Sequence, residues 1–330
     1  MATEVELKFL ISPEVAQRLP AFLKSYSIKK HDQLALKNTY FDTPDLALGN
    51  MKAGLRIRSH NGLREQTVKL VGSQVGGLHQ RPEYNVPVSQ DEPDLLQFPV
   101  DIWPKELDLV QLQAQLQPLF STDFLRKRWL VELEGSQIEL ALDEGAVKAG
   151  TLSTPIHELE LELVSGDVAP LFTLAFALIT DGGMRLGAVS KAQRGYQLAG
   201  LTDQPQLKQL ASLLMQPNEA KGNPVVALLH LGLDHWQHHE ETWLADPSLG
   251  SDWLRQLSEG VSLVRQALLP LSTQAQYQVD SAWLTDLSWL QQHVNEHSAP
   301  LDSAALHNLF YSYRYTHLVL ALTYWLAQQS

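Results

Sequence analysis

The chain has no cysteine, so disulfides and thiolate metal ligands are excluded. It has no run of about 18 apolar residues, the length a membrane span needs. Its first residues lack the basic-then-apolar pattern of a signal segment. A cytoplasmic protein with no membrane partner is therefore expected. Cations are also scarce, at 25 Lys+Arg against 37 Asp+Glu and a net charge of −12. That balance argues against a broad basic surface for nucleic acid. The shortage is uneven. Residues 201–330 hold only Lys208, Lys221, Arg255, Arg265 and Arg314 against 12 acidic residues, whereas residues 1–200 hold 20 cations and 25 acidic residues. A length of 330 residues usually means two domains, and 44% hydrophobic residues suffice for two cores.

What is present is charge in alternation. Glu4, Glu6 and Lys8 alternate with Val5 and Leu7. In a strand, successive side chains point to opposite faces, so the three charges share one face. Glu158, Glu160 and Glu162 repeat the pattern between Leu159, Leu161 and Leu163. Like charges side by side on a sheet repel, and a divalent cation is their natural counter-charge. For either motif alone, a solvated strand face is the plainer reading.

The first 200 residues read mainly as strands, at 3–11, 35–42, 55–60, 64–71, 79–88, 124–133, 136–144, 147–152 and 155–164. Asn61-Gly62, the stretch 72–77 and Glu134-Gly135 are turn signals. Helical stretches interrupt at 13–25 and about 168–180. The rest reads as helices, at about 204–216, 223–245, 250–270, 278–297 and 301–328, with Pro217, Pro224, Pro247, Pro270 and Pro300 near their ends. Apolar residues at helical spacing, such as Leu254, Leu257, Val261, Val264 and Leu268, predict a bundle. The division falls between 1–202 and 203–330, where Gly200 and Pro205 flank the change of pattern.

Charges recur at alternate positions in strand after strand: Arg56 and Arg58; Thr67 and Lys69; Arg81 and Glu83; Arg126 and Arg128; then Lys191 and Arg194 near the end of the first part. A sandwich has an apolar interior, so six strands with one charged face fit a closed antiparallel barrel around a charged cavity better. Carboxylates hold hard divalent cations, while Lys and Arg hold phosphate oxygens. A metal–polyphosphate needs both.

Together these residues resemble the CYTH family, the triphosphate tunnel metalloenzymes. The likeness covers about residues 1–200. It runs through Glu4-x-Glu6-x-Lys8, Tyr40-Phe41-Asp42-Thr43, Leu55-Arg56-Ile57-Arg58, Thr67-x-Lys69, Arg81-x-Glu83, Arg126-Lys127-Arg128-Trp129, Leu142-Asp143-Glu144-Gly145, Glu158-x-Glu160-x-Glu162 and Ser190-Lys191-x-x-Arg194-Gly195-Tyr196. The resemblance implies an α+β chain with an eight-stranded antiparallel barrel forming a tunnel, and hydrolysis or cyclisation of triphosphates with one or two Mg²⁺ or Mn²⁺ ions. It implies that Glu4 and Glu6, with one or more of Glu158, Glu160 and Glu162, hold a metal. It assigns phosphate to Lys8, Arg56, Arg58, Lys69, Arg81, Arg126, Arg128, Lys191 and Arg194. Lys8 or Lys191 would offset charge on the leaving group. Asp143 and Glu83 are candidates for a second metal or its water, with turn chemistry the alternative for Asp143. Asp42 reads as a turn residue, Lys127 as outward-facing, and Glu162 either as a ligand or as the partner of a cation. His79 and His157 are not expected to be ligands.

The helical part resembles, distantly, a shortened or diverged CHAD domain. It has 8 of the 12 histidines but lacks a basic helix. His235, His238 and His239 read as a metal site or, more plainly, as a polar helix face. The expected activity is hydrolysis of inorganic tripolyphosphate. The alternatives are a class IV-type adenylate cyclase, a thiamine triphosphatase or a non-catalytic polyphosphate sensor. The helical part would pack on the barrel or bind another partner.

Overall fold

The computed structural model describes residues 2–203, 205–215 and 223–329; Pro217 and Lys221 lie outside the described residues. Ten strands form one sheet: β1 (Ala2–Ile11), β2 (Ser27–Asp42), β3 (Gly54–His60), β4 (Leu63–Lys69), β5 (Ser73–Val75), β6 (Leu78–Pro87), β7 (Gln117–Leu133), β8 (Ser136–Ala149), β9 (Leu152–Ser165) and β10 (Met184–Leu186). Eight of them close an antiparallel barrel in the order β1-β9-β8-β7-β2-β3-β4-β6, with β6 returning to β1. β5 flanks β6, and β10 pairs with Phe9–Ile11 of β1 beyond the end of β6.

The hairpins follow from their turn residues. Asn61-Gly62 and Glu134-Gly135 both have positive φ at each central residue. That twist matches the flanking strands and fixes the β3–β4 and β7–β8 registers. Residues 136–144 and 147–152, expected as two strands, are one strand plus a turn: Gly145 continues the ladder, pairing with Phe124 and Ile156.

The helices are α1 (Pro13–Phe22), α2 (Ala47–Asn50), α3 (Leu109–Gln115), α4 (Ala169–Leu178), α5 (Lys191–Leu198), α6 (Leu210–Leu214), α7 (Pro224–Ala245), α8 (Ser251–Ser272), α9 (Ser281–Ser298), α10 (Ser303–Phe310) and α11 (Tyr313–Ala327). The expected helix 301–328 is broken in two, because Ser312 leaves the helix and caps α11, its hydroxyl accepting from Tyr315 N. Of 204–216, only Leu210–Leu214 is helical among the described residues. None of the described helices is long and apolar enough to cross a membrane.

Alternation decides where the core sits. Leu7, Phe9, Leu140, Leu142, Leu159 and Leu161 leave the barrel interior and are buried against α1 and α4. Each such side chain contributes roughly 1.5–3 kcal/mol. This core runs on without a break into the helical part, through Trp236, Val261, Tyr315 and Leu318. A second cluster seals the opposite wall, where Leu55, Ile57 and Val68 meet Leu95, Phe98, Trp103 and Leu112. With apolar residues covering the outside, the charged residues are left to the inside.

Candidate active site in the barrel interior

Strand register builds the site. Across β1 and β9, Glu6 faces Glu162, Lys8 faces Glu160 and Leu10 faces Glu158. Asp143 on β8 stands between Arg126 on β7 and Glu158 on β9. Lys69 on β4 faces Glu83 on β6, and Arg56 on β3 lies between Tyr40 and Thr67. The last contributor is α5, which lies against the barrel wall with Lys191 at its first turn. Gly195 permits this approach, since a Cβ there would stand 2.0 Å from the Phe120 ring. Ser190 caps the helix by accepting from Gln193 N.

These elements surround a cavity of ≈ 790 Å³ lined by Glu4, Glu6, Lys8, Arg56, Arg58, Lys69, Arg81, Glu83, Arg126, Glu160, Glu162 and Lys191. Four expected site residues are not on the lining. Asp143 and Glu158 are fully buried behind it. Arg194 bonds Glu158 and the Pro155 carbonyl. Arg128 pairs with Asp32 at 2.8 Å and Glu139 at 3.6 Å. Asp143 lies inside a strand, so the turn reading does not apply to it. Asp42 does organise a turn, accepting from Thr43 N, Leu48 N, Gly49 N and the Tyr196 hydroxyl. Lys127 points away from the cavity and pairs with Glu144 at 3.0 Å. The sequence reading passed over Asn38 and Tyr40 as site residues. Asn38 Oδ1 accepts from Arg58 Nε at 2.9 Å, and Tyr40 lines the cavity. Their spacing of two in one predicted strand was the available signal.

The interior is an ion-pair lattice. Lys69 bonds Glu4 at 2.7 Å and Glu83 at 2.8 Å, and Arg81 bonds Glu6 at 2.6 Å. Arg126 holds Asp143 through Nε and Nη2 at 2.7 and 2.6 Å, and reaches Glu160 at 2.7 Å. Lys191 bonds Asp143, Glu158 and Glu160 at 2.8, 2.8 and 2.7 Å. Burial alone would raise Glu83 and Glu158. Lys69 and Arg56 outweigh it at Glu83, and Lys191, Lys8 and Arg194 at Glu158, holding each down to about 2.

Among the described residues three lining groups fall outside the lattice, and one of them, Lys8, donates to the Val189 carbonyl instead. Arg58 has no carboxylate of the described residues within 4 Å; burial, then Arg56 and Arg126, lower it to about 9. Among the described residues Glu162 has neither a hydrogen bond nor an ion pair; burial, then Glu4 and Glu139, raise it to about 7, with Lys69 opposing. Glu4 is also raised to about 7, by burial ahead of Glu6 and Glu83, although Lys69 opposes the shift. Among the described residues the cavity thus holds a guanidinium with no carboxylate in reach and a carboxylate with no ion pair.

Among the described residues no three His, Cys, Asp or Glu side chains are grouped tightly enough to hold a metal as they stand. The donor chemistry nevertheless fits a hard divalent cation: Glu4, Glu6 and Glu162 offer only carboxylate oxygens, and one of them has no partner. His79 is no competitor, since burial lowers it to about 4 and it contacts the Gly187 carbonyl. Of His235, His238 and His239, only His238 is partly exposed. His235 and His239 are buried, with ring centroids 4.3 Å apart.

A raised carboxylate destabilises the fold once it ionises. Stability linked to Glu162 is present below its usual 4.5 and lost as pH rises through about 7. Glu162→Gln is therefore expected to raise the melting temperature by about 2 °C at pH 8 and to leave it unchanged at pH 5. At pH 8 it should also shrink the upward shift produced by Mg²⁺. Equal melting temperatures and Mg²⁺ responses in both proteins would contradict this account of Glu162.

The chain matches the CYTH domain family over residues 2–196. The inorganic triphosphatase of Haemophilus influenzae is 43% identical to it over 207 residues, covering 62% of this chain and 58% of that protein. This chain therefore spans less than two thirds of that relative. Among solved structures, the Hippeastrum adenylyl cyclase HpAC1, described with a dominant triphosphatase activity, has a TM-score of 0.46 and 16% identity over 59% of this chain and 95% of its own. The Pyrococcus horikoshii protein PH1819 has a TM-score of 0.39 and 19% identity over 59% and 98%. The closed barrel, its charged interior and a sequence match over more than half of its residues make this chain a member of the CYTH domain family.

Proposed function

We propose that the chain hydrolyses inorganic tripolyphosphate to pyrophosphate and phosphate inside the barrel, in the cytoplasm, with Mg²⁺ or Mn²⁺. One observation carries this reading: Arg58 with no carboxylate in reach and Glu162 with no ion pair, among the described residues, line the same cavity. A metal–polyphosphate supplies both missing partners. The name of the Haemophilus relative points the same way.

In this reading Arg56 and Arg58 grip phosphate oxygens, with Arg126, Lys8, Lys69 and Lys191 along the chain of phosphates. Phosphoryl transfer asks a protein mainly for such positioning and charge stabilisation. Glu4, Glu6 and Glu162 would hold the cation, with Glu160 within the same cavity. A bound divalent ion neutralises phosphate oxygens and makes its water more acidic. Water adds to the terminal phosphorus as the bridging P–O bond breaks. Pyrophosphate leaves with its new charge facing Lys8 or Lys191, and the water's protons pass to the phosphate products and solvent. Asp143 and Glu158, behind the lining, would position Arg126, Lys191 and Arg194; Arg128 would act nearer one mouth. The helical part is read as a diverged CHAD-like domain on its helices and histidines alone.

Phosphate release from tripolyphosphate, long polyphosphate, ATP and thiamine triphosphate with Mg²⁺ tests the proposal. Preference for tripolyphosphate supports it. Preference for ATP or thiamine triphosphate overturns it in favour of an enzyme with an organic-group pocket, and no turnover favours a sensor. Arg58→Ala is expected to raise KM about 10- to 100-fold, the loss of one charge-assisted contact of roughly 1.5–3 kcal/mol. Its melting temperature should fall by no more than the loss of the Asn38 bond entails, since no ion pair is broken. An unchanged KM would remove Arg58 from the phosphate site.

A further inference from the structure

The segment 184–191 is held from two sides. On the barrel side, Gly187 N donates to the Lys8 carbonyl at 2.9 Å, the Lys8 ammonium donates to the Val189 carbonyl, and Lys191 enters the cavity two residues later. On the helical side, Glu241 of α7 accepts from Ala188 N at 2.7 Å. Its neighbour Glu240 bonds the buried Arg185 at 3.2 Å and accepts from the Tyr315 hydroxyl. Thr316 of α11 donates to the Met184 carbonyl at 2.5 Å.

Burying these groups is costly unless they are satisfied. Arg185 and Glu240 are only 5% and 2% exposed. An apolar pair would have glued the helices to the barrel as well. What the polar contacts add is direction, because Glu241, Glu240 and Thr316 reach the Ala188 amide, the Arg185 guanidinium and the Met184 carbonyl of this short segment. Its position sets where Val189 presents the carbonyl that holds Lys8, and where α5 starts.

We propose that Glu241, supported by Glu240 and Thr316, is a positioning residue. By fixing segment 184–191 it sets Lys8 and Lys191 in the cavity, so that the helical part belongs to the working geometry of the barrel site. The kinetic side of this proposal rests on the triphosphatase reading; its structural side does not.

The test compares Glu241→Ala, Glu241→Gln and Thr316→Val in the full chain. Glutamine keeps an oxygen for Ala188 N but not the charge 3.7 Å from Arg185, alanine keeps neither, and valine removes only the contact to Met184. Hydrogen exchange of the 184–195 peptide is read alongside the calorimetric affinity for tripolyphosphate, and kcat and KM with Mg²⁺. Glu241→Ala is expected to speed exchange in that peptide at least tenfold, with little change elsewhere in the barrel, and to lower kcat about tenfold with a smaller change in KM. Glu241→Gln should restore both, and Thr316→Val should show the same pattern more weakly. Unchanged exchange and unchanged affinity in Glu241→Ala and Thr316→Val would overturn the proposal. So would an equal loss in Glu241→Gln. If the wild-type chain turns over no triphosphate, the functional reading falls, while exchange and anion affinity still decide on the segment.

Discussion

Lys191→Met is expected to abolish tripolyphosphate turnover and to lower stability by about 3–5 kcal/mol, the cost of breaking a buried charge cluster by removing one partner. The Lys191 ammonium sits within 2.8 Å of oxygens from Asp143, Glu158 and Glu160. Two of those carboxylates are fully buried. Burial alone would lower Lys191, but the three carboxylates outweigh it and keep it well above an ordinary lysine. In lysine's place the apolar methionine chain, of similar length, fills the volume and neutralises nothing. The three carboxylates then face one another, with Arg126, Arg194 and Lys8 as their remaining counter-charges. The variant's deficit should therefore depend on pH. In the wild type, Glu158 is held down to about 2, so the stability it contributes is present above its usual 4.5 and lost only as pH falls through 2. In the variant its pKa rises, so the deficit measured by urea unfolding should be larger at pH 8 than at pH 5. Lys191→Arg keeps the charge but replaces three divergent donors with a planar fork, and should recover only part of the loss. Equal stability of Lys191→Met and wild type at pH 8 would contradict the cluster's role.

The barrel was legible because period two is a strong signal when one face is charged. Val5, Leu7, Leu159 and Leu161 against Glu4, Glu6, Glu160 and Glu162 leave one arrangement in which apolar residues go outside and like charges meet. The same alternation brought eleven of the expected cations and carboxylates, from Glu4 to Glu162, to one cavity together with Lys191. It could not tell depth. Asp143, Glu158 and Glu160 share an inward phase, yet Asp143 and Glu158 lie behind the lining because α5 brings Lys191 and Arg194 down on them. That helix depends on Gly195 meeting Phe120, a contact 75 residues apart in sequence that no local pattern announces. Arg128 has the phase of Arg126 but lies one pair further along the strand, where Asp32 claims it. In the helical part, the periodicity gave α7, α8 and α9 nearly whole. It ran through Tyr311 and Ser312, because neither glycine nor proline marks that break. Short β10 carries no pattern of its own. It is a strand because Phe9–Ile11 outlasts β6 and leaves an edge to pair.

Glu6→Gln should separate a catalyst from a binder. Turnover of tripolyphosphate is expected to fall about 10³-fold, several kcal/mol of lost charge stabilisation at 1.36 kcal/mol per factor of ten. Affinity for the anion in chelator should hold or improve, since a negative charge leaves a cavity whose cations already outnumber its carboxylates. Arg81 loses its partner at 2.6 Å in the same step and becomes available to phosphate. Raising Mg²⁺ or Mn²⁺ should rescue part of the loss, because Glu4 and Glu162 remain on the lining. Wild-type turnover should vanish in chelator and return with either ion. The rescue should weaken below pH 7, where Glu4 and Glu162, both raised to about 7, take up protons that a cation must displace. Turnover of Glu6→Gln equal to wild type at low metal would take Glu6 out of the metal site. Full wild-type activity in chelator would remove the metal altogether and leave the charge stabilisation to the cations of the lining, among them Arg56, Arg58 and Lys191.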